Sequence, residues 1–356
     1  MADTARRAAI ASLVVGGIVI LALALWKLRL VIALLFLGFI IAAAMRPGVE
    51  AMQRRRVPRG IGIVVHYVAI LGAVSLLLYL VVPRALDQVA DALNALPQNG
   101  EQSAIGDQAQ EENGFKRQIL EAVERRLEDL PSGTELLDPA LELTRLGLEV
   151  AIGIFFVLAS AAYWIFERAR AIDLVTSLVP RPRRNKVRDT WDLIDLKLGA
   201  YVRGQLILIV LVAVVLSIAF TTIGLPYSIL IGTFAGVVEL IPVIGPLAAG
   251  VLAVGVGLTE SWELALAAGL IVLVVRLLED YIVITRVLGE AVGLSPLLVL
   301  FSVAAVALLF GEFAVLLAIP IAAVVATLVD VVLRGKDPAE EDVPAVIFSP
   351  KETETV

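Results

Sequence analysis

Long apolar runs limit this chain to folds in which helices face lipid. A helix needs roughly 20 apolar residues to cross the ~30 Å hydrocarbon core of a bilayer. The runs lie at Ala8–Leu25, Leu30–Met45, Ile61–Val82, Leu146–Phe166 and Val202–Ile223. The chain is 59% hydrophobic and only 18% charged, and its mean hydropathy is +0.92. One core cannot bury so much apolar surface, so we expect an integral membrane protein of the inner-membrane type.

Two later hydrophobic regions are interrupted by proline and glycine. The first has helical arms at Pro226–Glu239 and Pro246–Leu258, each about 20 Å long and short of the ~30 Å core. The second has the arms Ser295–Phe310 and Phe313–Leu333, separated by Gly311 and Glu312. We predict two re-entrant hairpins that enter from opposite faces around a midplane site; ordinary kinked spans are the alternative. The predicted fold is all-α and polytopic, with about six full spans plus two re-entrant or broken helical hairpins, about eight helical membrane segments.

Lysine and arginine in the short loops predict the orientation. Met45–Gly60 and Glu167–Asp189 are rich in arginine, which is typical of cytoplasmic loops. The acidic segment Arg84–Arg145 is then expected outside, one span away from each basic loop. Arg6 and Arg7 favour a cytoplasmic N-terminus, and the second hairpin returns the C-terminus to the same side. We expect a multi-pass protein of the bacterial plasma (inner) membrane.

The charge and hydropathy patterns divide the chain into five segments. Residues 1–83 form N-terminal membrane helices, 84–145 an extracytoplasmic, acidic and partly helical segment, and 146–190 a membrane helix with a basic cytoplasmic loop. Residues 191–335 form a transport-type membrane region with the two hairpins, and 336–356 an acidic cytoplasmic tail that we expect to be disordered. Within them, Phe115–Leu130 is predicted as an amphipathic helix, and Trp191–Tyr201 as an interfacial helix that leads into a span.

The composition excludes several classes of site. The chain has no cysteine and one histidine, His66, so disulfides, thiolate ligands and multi-histidine metal sites are excluded. It has no phosphate-binding loop and no nucleophile elbow, so we expect neither an enzyme nor an ATP-driven pump, and no cofactor or metal. Its basic residues lie in short loops beside apolar runs, which argues against nucleic acid as a partner.

Ionisable residues inside membrane segments are costly and often functional. The candidates for a substrate or ion pathway are Arg203, Glu239, Arg276, Glu279, Asp280 and Glu312, together with the turn residues Pro242, Gly245 and Pro246. Glu239 is read as a carboxylate that binds a proton or cation, or else as a cap or the partner of an arginine. Arg276, Glu279 and Asp280 share one helix face and form either a polar pathway or a self-neutralising pair. Arg203 is either a pathway residue or a snorkelling anchor.

Six segments, taken in order and spacing, resemble the AI-2E (autoinducer-2 exporter-like) family of membrane transporters. They are MRPGVEAMQRRRVPRG at Met45–Gly60, VVPRALDQV at Val81–Val89, AAYWIFERAR at Ala161–Arg170, LGAYVRGQ at Leu198–Gln205, GLPYSILIGTFAGVVELIPVIGPLAAG at Gly224–Gly250, and RVLGEAVGLSPLLVL at Arg286–Leu300 with AIPIAAVV at Ala318–Val325. The resemblance implies export or exchange of a small solute, such as an autoinducer-2-like signal or another small polar molecule. Relatives in other branches of the family are associated with sodium–proton exchange, so the resemblance implies this activity as an alternative.

Two classes of function remain open from the sequence. The first is a secondary transporter driven by an ion gradient, with a monovalent cation/proton antiporter as its variant. The second is a channel or a membrane scaffold, of which the scaffold would need no charges in its spans. The expected partners are membrane lipid, a small-molecule or ion substrate, and further copies of the chain in a homo-oligomer.

Overall fold

All regular secondary structure in the described part of the chain is helical, which confirms the predicted fold class. The computed structural model describes residues 2–94, 137–241, 244–279, 295–341 and 343. The helices are α1 (Ala2–Lys27), α2 (Arg29–Arg54), α3 (Arg59–Asn94), α4 (Leu137–Ser177), α5 (Arg184–Thr222), α6 (Ser228–Val238), α7 (Ile244–Glu260), α8 (Trp262–Leu278), α9 (Pro296–Phe310) and α10 (Ala318–Val332). Short 3₁₀ helices at Arg181–Arg183 and Glu312–Leu317 precede α5 and α10.

Among the described residues, five helical segments are long and apolar enough to cross a membrane. They are Arg29–Arg54, Arg59–Leu76, Thr144–Ser177, Arg181–Thr222 and Phe313–Val332. Large apolar side chains stand exposed along α1, α3 and α4, among them Leu13, Val68 and Phe155. A soluble protein rarely exposes contiguous apolar faces of this extent, so these faces contact lipid and the protein is a multi-pass membrane protein.

Helix α5 is the central element, because α2, α4, α6, α8 and α10 all pack against it. The separate interfacial helix predicted at Trp191–Tyr201 is instead part of this one continuous helix of 39 residues, about 58 Å long. No proline interrupts it, so its backbone hydrogen bonds continue from the basic region into the apolar one. Gly199 lets α2 approach closely, since a Cβ there would lie 2.6 Å from the carbonyl oxygen of Ala43.

The first predicted hairpin is present as α6 and α7. Helix α6 runs back along α5, so that Gly232 contacts Ser217 and Gly236 contacts Ala213. The chain then reverses after Glu239, whose backbone oxygen accepts a hydrogen bond from Gln205. Gln205 lies about 25 Å along the α5 axis from Thr222, at ~1.5 Å per residue. The hairpin therefore ends partway along α5 and does not follow it to its first residue.

The second predicted hairpin consists of α9, the 3₁₀ helix Glu312–Leu317 and α10. Gly311 adopts φ +90°, a conformation that glycine tolerates and that ends α9 at this point. The tip packs through Ala314, Leu317 and Ala318 into a buried cluster that includes Leu198 of α5. Both hairpins thus contact the stretch of α5 between Leu198 and Gln205.

The C-terminal segment begins as an ordered structure on α5. Lys197 donates to Glu341 at 2.8 Å, and Val343 is buried with Leu193 and Ala200. Within the tail predicted at 336–356, a buried lysine and an apolar contact thus join Glu341 and Val343 to α5. The predicted amphipathic helix Phe115–Leu130 lies outside the described residues.

Candidate functional site

Three charged side chains meet at the tip of the first hairpin, and we call them the tip cluster: Glu239, Arg276 and Glu279. Arg276 Nη1 lies 3.1 Å from Glu239 Oε1 and 3.3 Å from Glu279 Oε2. Glu239 and Glu279 are only 6% and 5% exposed. One guanidinium thus joins a carboxylate on the hairpin to a carboxylate on its own helix, within a largely apolar set of helices.

Local sequence explains why the chain reverses at this point. Helix α6 ends where the amide of Glu239 bonds to the Ala235 carbonyl. Helix α7 begins at Ile244, and Pro246 occupies its first turn, where a helix needs no backbone donor. Gly245 faces the end of α6 so closely that a Cβ would overlap the carbonyl oxygen of Val238 and lie 2.6 Å from its carbonyl carbon. Only glycine fits there, because both neighbours are backbone atoms.

The structure brings most of the predicted pathway residues of α6, α7 and α8 together. Glu239, Arg276 and Glu279 are in contact, and Gly245 and Pro246 form the adjoining turn. The contact of Glu239 with Arg276 agrees with both alternatives, because a carboxylate that is paired with an arginine can also bind a proton. Of the other predicted positions, Pro242 and Asp280 lie outside the described residues. The backbone of Glu312 follows Gly311 at the tip of the second hairpin.

Arg203 is buried within α5 and does not mark the start of a helix. The residue is 9% exposed, and Nη1 donates to the Ala44 carbonyl of α2 at 3.1 Å. A snorkelling anchor keeps its charged head in water, whereas this guanidinium contacts a backbone carbonyl of a neighbouring helix. The geometry therefore agrees with a buried polar contact between helices and not with the snorkelling alternative.

A second set of charges was missed by sequence reasoning, and we call it the arginine–aspartate network: Arg46, Arg168, Asp192 and Asp195. Asp195 Oδ2 accepts from Arg168 Nε at 2.5 Å and from Arg46 Nη1 at 3.3 Å, and Arg168 also pairs with Asp192. The side chain of Asp195 is only 4% exposed. The available signal was an arginine just after an apolar run in both α2 and α4, and two aspartates at i, i+3 on α5.

A polar cavity of about 150 Å³ adjoins this network. Its walls include the charged side chains Arg46, Glu50, Arg59, Arg168 and Asp195. Asp195 Oδ1 is buried and has no hydrogen-bond partner among the described residues. The volume suits several water molecules, at roughly 30 Å³ each. A smaller cavity next to it is lined by Asp195 and Arg203.

Helices of membrane-spanning length, two hairpins and buried charges at a hairpin tip define this molecule as an all-α polytopic membrane protein of the transport class. Over residues 15–334 the chain matches the family described as "AI-2E family transporter". The match covers most of the chain, so the protein belongs to the AI-2E transporter family, as its sequence motifs indicated, and has a role in membrane transport.

Named relatives agree with this membership. "Putative transport protein YrrI" of Bacillus subtilis (strain 168) is 25% identical over 82% of this chain and 83% of its own length. "Putative transport protein MT0215" of Mycobacterium tuberculosis (strain CDC 1551 / Oshkosh) is 23% identical over 90% of this chain and 88% of its own length. "Putative permease PerM" of Escherichia coli (strain K12) is 23% identical over 50% of this chain and 51% of its own length.

Proposed function

We propose that the protein is a secondary transporter of the bacterial inner membrane that exports or exchanges a small polar solute, driven by an ion gradient. The main support for the proposal is that Arg276 bridges Glu239 on the hairpin tip and Glu279 of α8, with Nη1 3.1 and 3.3 Å from their carboxylate oxygens. Broken helices whose tips carry charge are a recurring form of solute and ion site in secondary transporters. A scaffold has no need of such costly groups.

The tip cluster suggests how ion movement is coupled to the hairpin. The contact between Arg276 and Glu239 joins two elements, whereas the contact between Arg276 and Glu279 lies within one helix. Protonation of Glu239 weakens the first contact and leaves Arg276 held by Glu279. A charge-assisted hydrogen bond contributes about 1.5–3 kcal/mol, so its loss changes the balance between a docked and a released tip by roughly 10- to 100-fold.

The cavity beside the arginine–aspartate network supplies the cytoplasmic end of the proposed path. Asp195 and Arg203 lie about 12 Å apart along α5, and both line the smaller cavity beside it. Charged side chains at such a cavity suit water and a small polar solute. The second hairpin packs against the same stretch of α5.

A monovalent cation/proton antiporter is the second candidate. Two buried carboxylates that share one guanidinium favour it, because carboxylate oxygens bind Na⁺ or a proton alternately. A channel or scaffold is the remaining alternative, and neither would show solute movement against its gradient when a proton gradient is imposed.

The test of the proposal is Glu239→Gln, which imitates the protonated carboxyl group without changing its shape. In proteoliposomes with an imposed proton gradient, we expect proton-driven solute or Na⁺ flux to fall at least about tenfold and to lose its pH dependence. Glu263→Gln on the exposed first turn of α8 is the matched control and should transport normally. The readout is flux between about pH 5.5 and 8.5, together with thermal unfolding of each variant.

Each outcome of this experiment decides between roles for the carboxylate. Normal flux of Glu239→Gln at every pH contradicts the coupling role. A lower unfolding temperature together with lost assembly shows a structural ion pair instead. Flux that is reduced but still pH-dependent, with unchanged stability, assigns coupling to another group and rejects the proposed mechanism.

The proposed orientation has a separate test in this naturally cysteine-free chain. Arg55 lies in the exposed turn between α2 and α3, which the charge pattern predicts to be cytoplasmic. We expect Arg55→Cys to resist an impermeant thiol reagent in intact cells and to react after the membrane is opened. Gly100→Cys, in the acidic segment expected outside, is the control that should react in intact cells. Labelling of Arg55→Cys from outside would contradict the proposed orientation.

A further inference from the structure

A large apolar groove lies between α2, α4, α5 and α10, and we call it the aromatic groove. Its volume is about 1120 Å³. Its walls are mostly aliphatic and aromatic: Leu35, Phe36 and Phe39 of α2, Trp164 and Val175 of α4, Trp191 and Ile194 of α5, and Leu328 and Val331 of α10. This chemistry accepts hydrocarbon far better than a small polar solute.

The groove has a basic end and an aromatic end. Arg183 and Lys186 line it at the beginning of α5. Trp191 lies about 12 Å further along the axis from Arg183 and stacks on Trp164, with the ring centroids 5.7 Å apart. Phe39 meets the edge of Trp164 at 5.0 Å. Two cations are thus held at one end of a hydrocarbon-like cleft.

The groove combines an apolar wall with a basic one. Leu35, Phe36 and Phe39 belong to the apolar run of α2, which ends just before Arg46. Arg183 and Lys186 belong to the basic stretch that precedes the apolar part of α5. The same cleft therefore offers hydrocarbon contacts and positive charge.

We propose that the aromatic groove is a binding site for an anionic phospholipid. Its headgroup pairs with Arg183 and Lys186, and its acyl chain lies against Leu35, Phe36 and Phe39. Basic pockets between membrane helices hold anionic headgroups in this way. The argument for a lipid is charge complementarity at one end of a cleft whose remaining walls are apolar. This site is separate from the tip cluster and does not depend on the transport proposal.

The test measures quenching of Trp164 and Trp191 by brominated lipid in nanodiscs. Trp26 and Trp262 are first replaced by phenylalanine, which leaves these two as the tryptophans of the chain. Brominated phosphatidylglycerol and brominated phosphatidylcholine with the same acyl chains are titrated into unlabelled phosphatidylcholine. Each basic residue adds about 1 kcal/mol for an anionic lipid, so we expect phosphatidylglycerol to quench at a mole fraction on the order of tenfold lower.

Charge variants assign the effect to the groove. Arg183→Gln with Lys186→Gln should remove the preference for phosphatidylglycerol, whereas Arg54→Gln with Arg55→Gln, the same charge change at the exposed end of α2, should keep it. Equal quenching by both lipids in the parent protein overturns the proposal and indicates an unselective lipid-facing surface. Absence of quenching by either lipid overturns it too, and an oligomer in mass photometry would then identify a second copy as the cover. The parent measurement decides the question even if the double variant does not fold.

Discussion

Replacement of Asp195 by alanine is expected to lower the free energy of unfolding by about 3 kcal/mol. The side chain of Asp195 is 4% exposed and lies between the guanidinium groups of Arg46 and Arg168. Removal of one member of a buried ion pair leaves its partners desolvated with less compensation. We expect a value near the lower end of the usual range of about 3–5 kcal/mol, because Arg46 retains its ion pair with Glu50 and Arg168 retains its ion pair with Asp192.

Asp173→Ala is the matched control, since Asp173 also pairs with an arginine, Arg188, but its side chain is 64% exposed. Its loss should cost less than about 1 kcal/mol. The measurement is reversible unfolding in mixed micelles, followed by tryptophan fluorescence, which reports directly on this region because Trp191 is close to Asp192 in sequence. Equal destabilisation by the two variants would show that burial of the arginine–aspartate network contributes nothing.

Gly245→Leu is expected to abolish transport and to destabilise the protein by about 3 kcal/mol or more. The new Cβ would overlap the Val238 carbonyl and lie 3.0 Å from the amide nitrogen of Glu239. Both are backbone atoms of the end of α6, so relief requires the hairpin tip to open. Opening would separate Glu239 from Arg276 and disrupt the tip cluster.

Gly255→Leu on the same helix is the control, because a Cβ at Gly255 meets no atom within 4 Å. This variant should keep its transport rate and unfold no earlier than the parent, since leucine has the higher helix propensity by just under about 1 kcal/mol. Proteoliposome flux and thermal unfolding are measured on both variants. Normal transport by Gly245→Leu would show that the tight turn is dispensable for the transport step.

The hairpins show how far sequence alone reaches. Pro242, Gly245 and Gly311 are local signals, because the constraint that each residue imposes on its own backbone does not depend on distant contacts. The predicted arms at Pro226–Glu239 and Pro246–Leu258 therefore agree with α6 and α7 to within a few residues. The interfacial helix predicted at Trp191–Tyr201 is instead part of α5, and the burial of this stretch depends on how α2, α4 and α10 pack around α5.

Sequence alone selected some residues of the candidate site and missed others. The cost of charge in an apolar run selected Glu239, Arg276 and Glu279 without any coordinates. Their partnership required α8 to lie antiparallel to α7, as the contact of Gly257 with Ala265 shows. Asp195 and Lys197 were not selected, because both lie in a stretch predicted to be a polar interfacial helix and their burial comes from other helices.

Sequence by itself determined that this chain is a polytopic helical membrane protein of the AI-2E transporter family with two broken hydrophobic regions. The length and hydropathy of an apolar run are properties of one segment and do not depend on its neighbours. In lipid, the backbone groups of that segment must form their hydrogen bonds within its own helix. Tertiary structure alone decided that Arg276 bridges Glu239 and Glu279, that Asp195 lies between two arginines, and that four helices enclose the aromatic groove. Those arrangements depend on which faces of distant helices come into contact. Helix packing selects these faces by the fit of their surfaces and by close approach at residues such as Gly199 and Gly236.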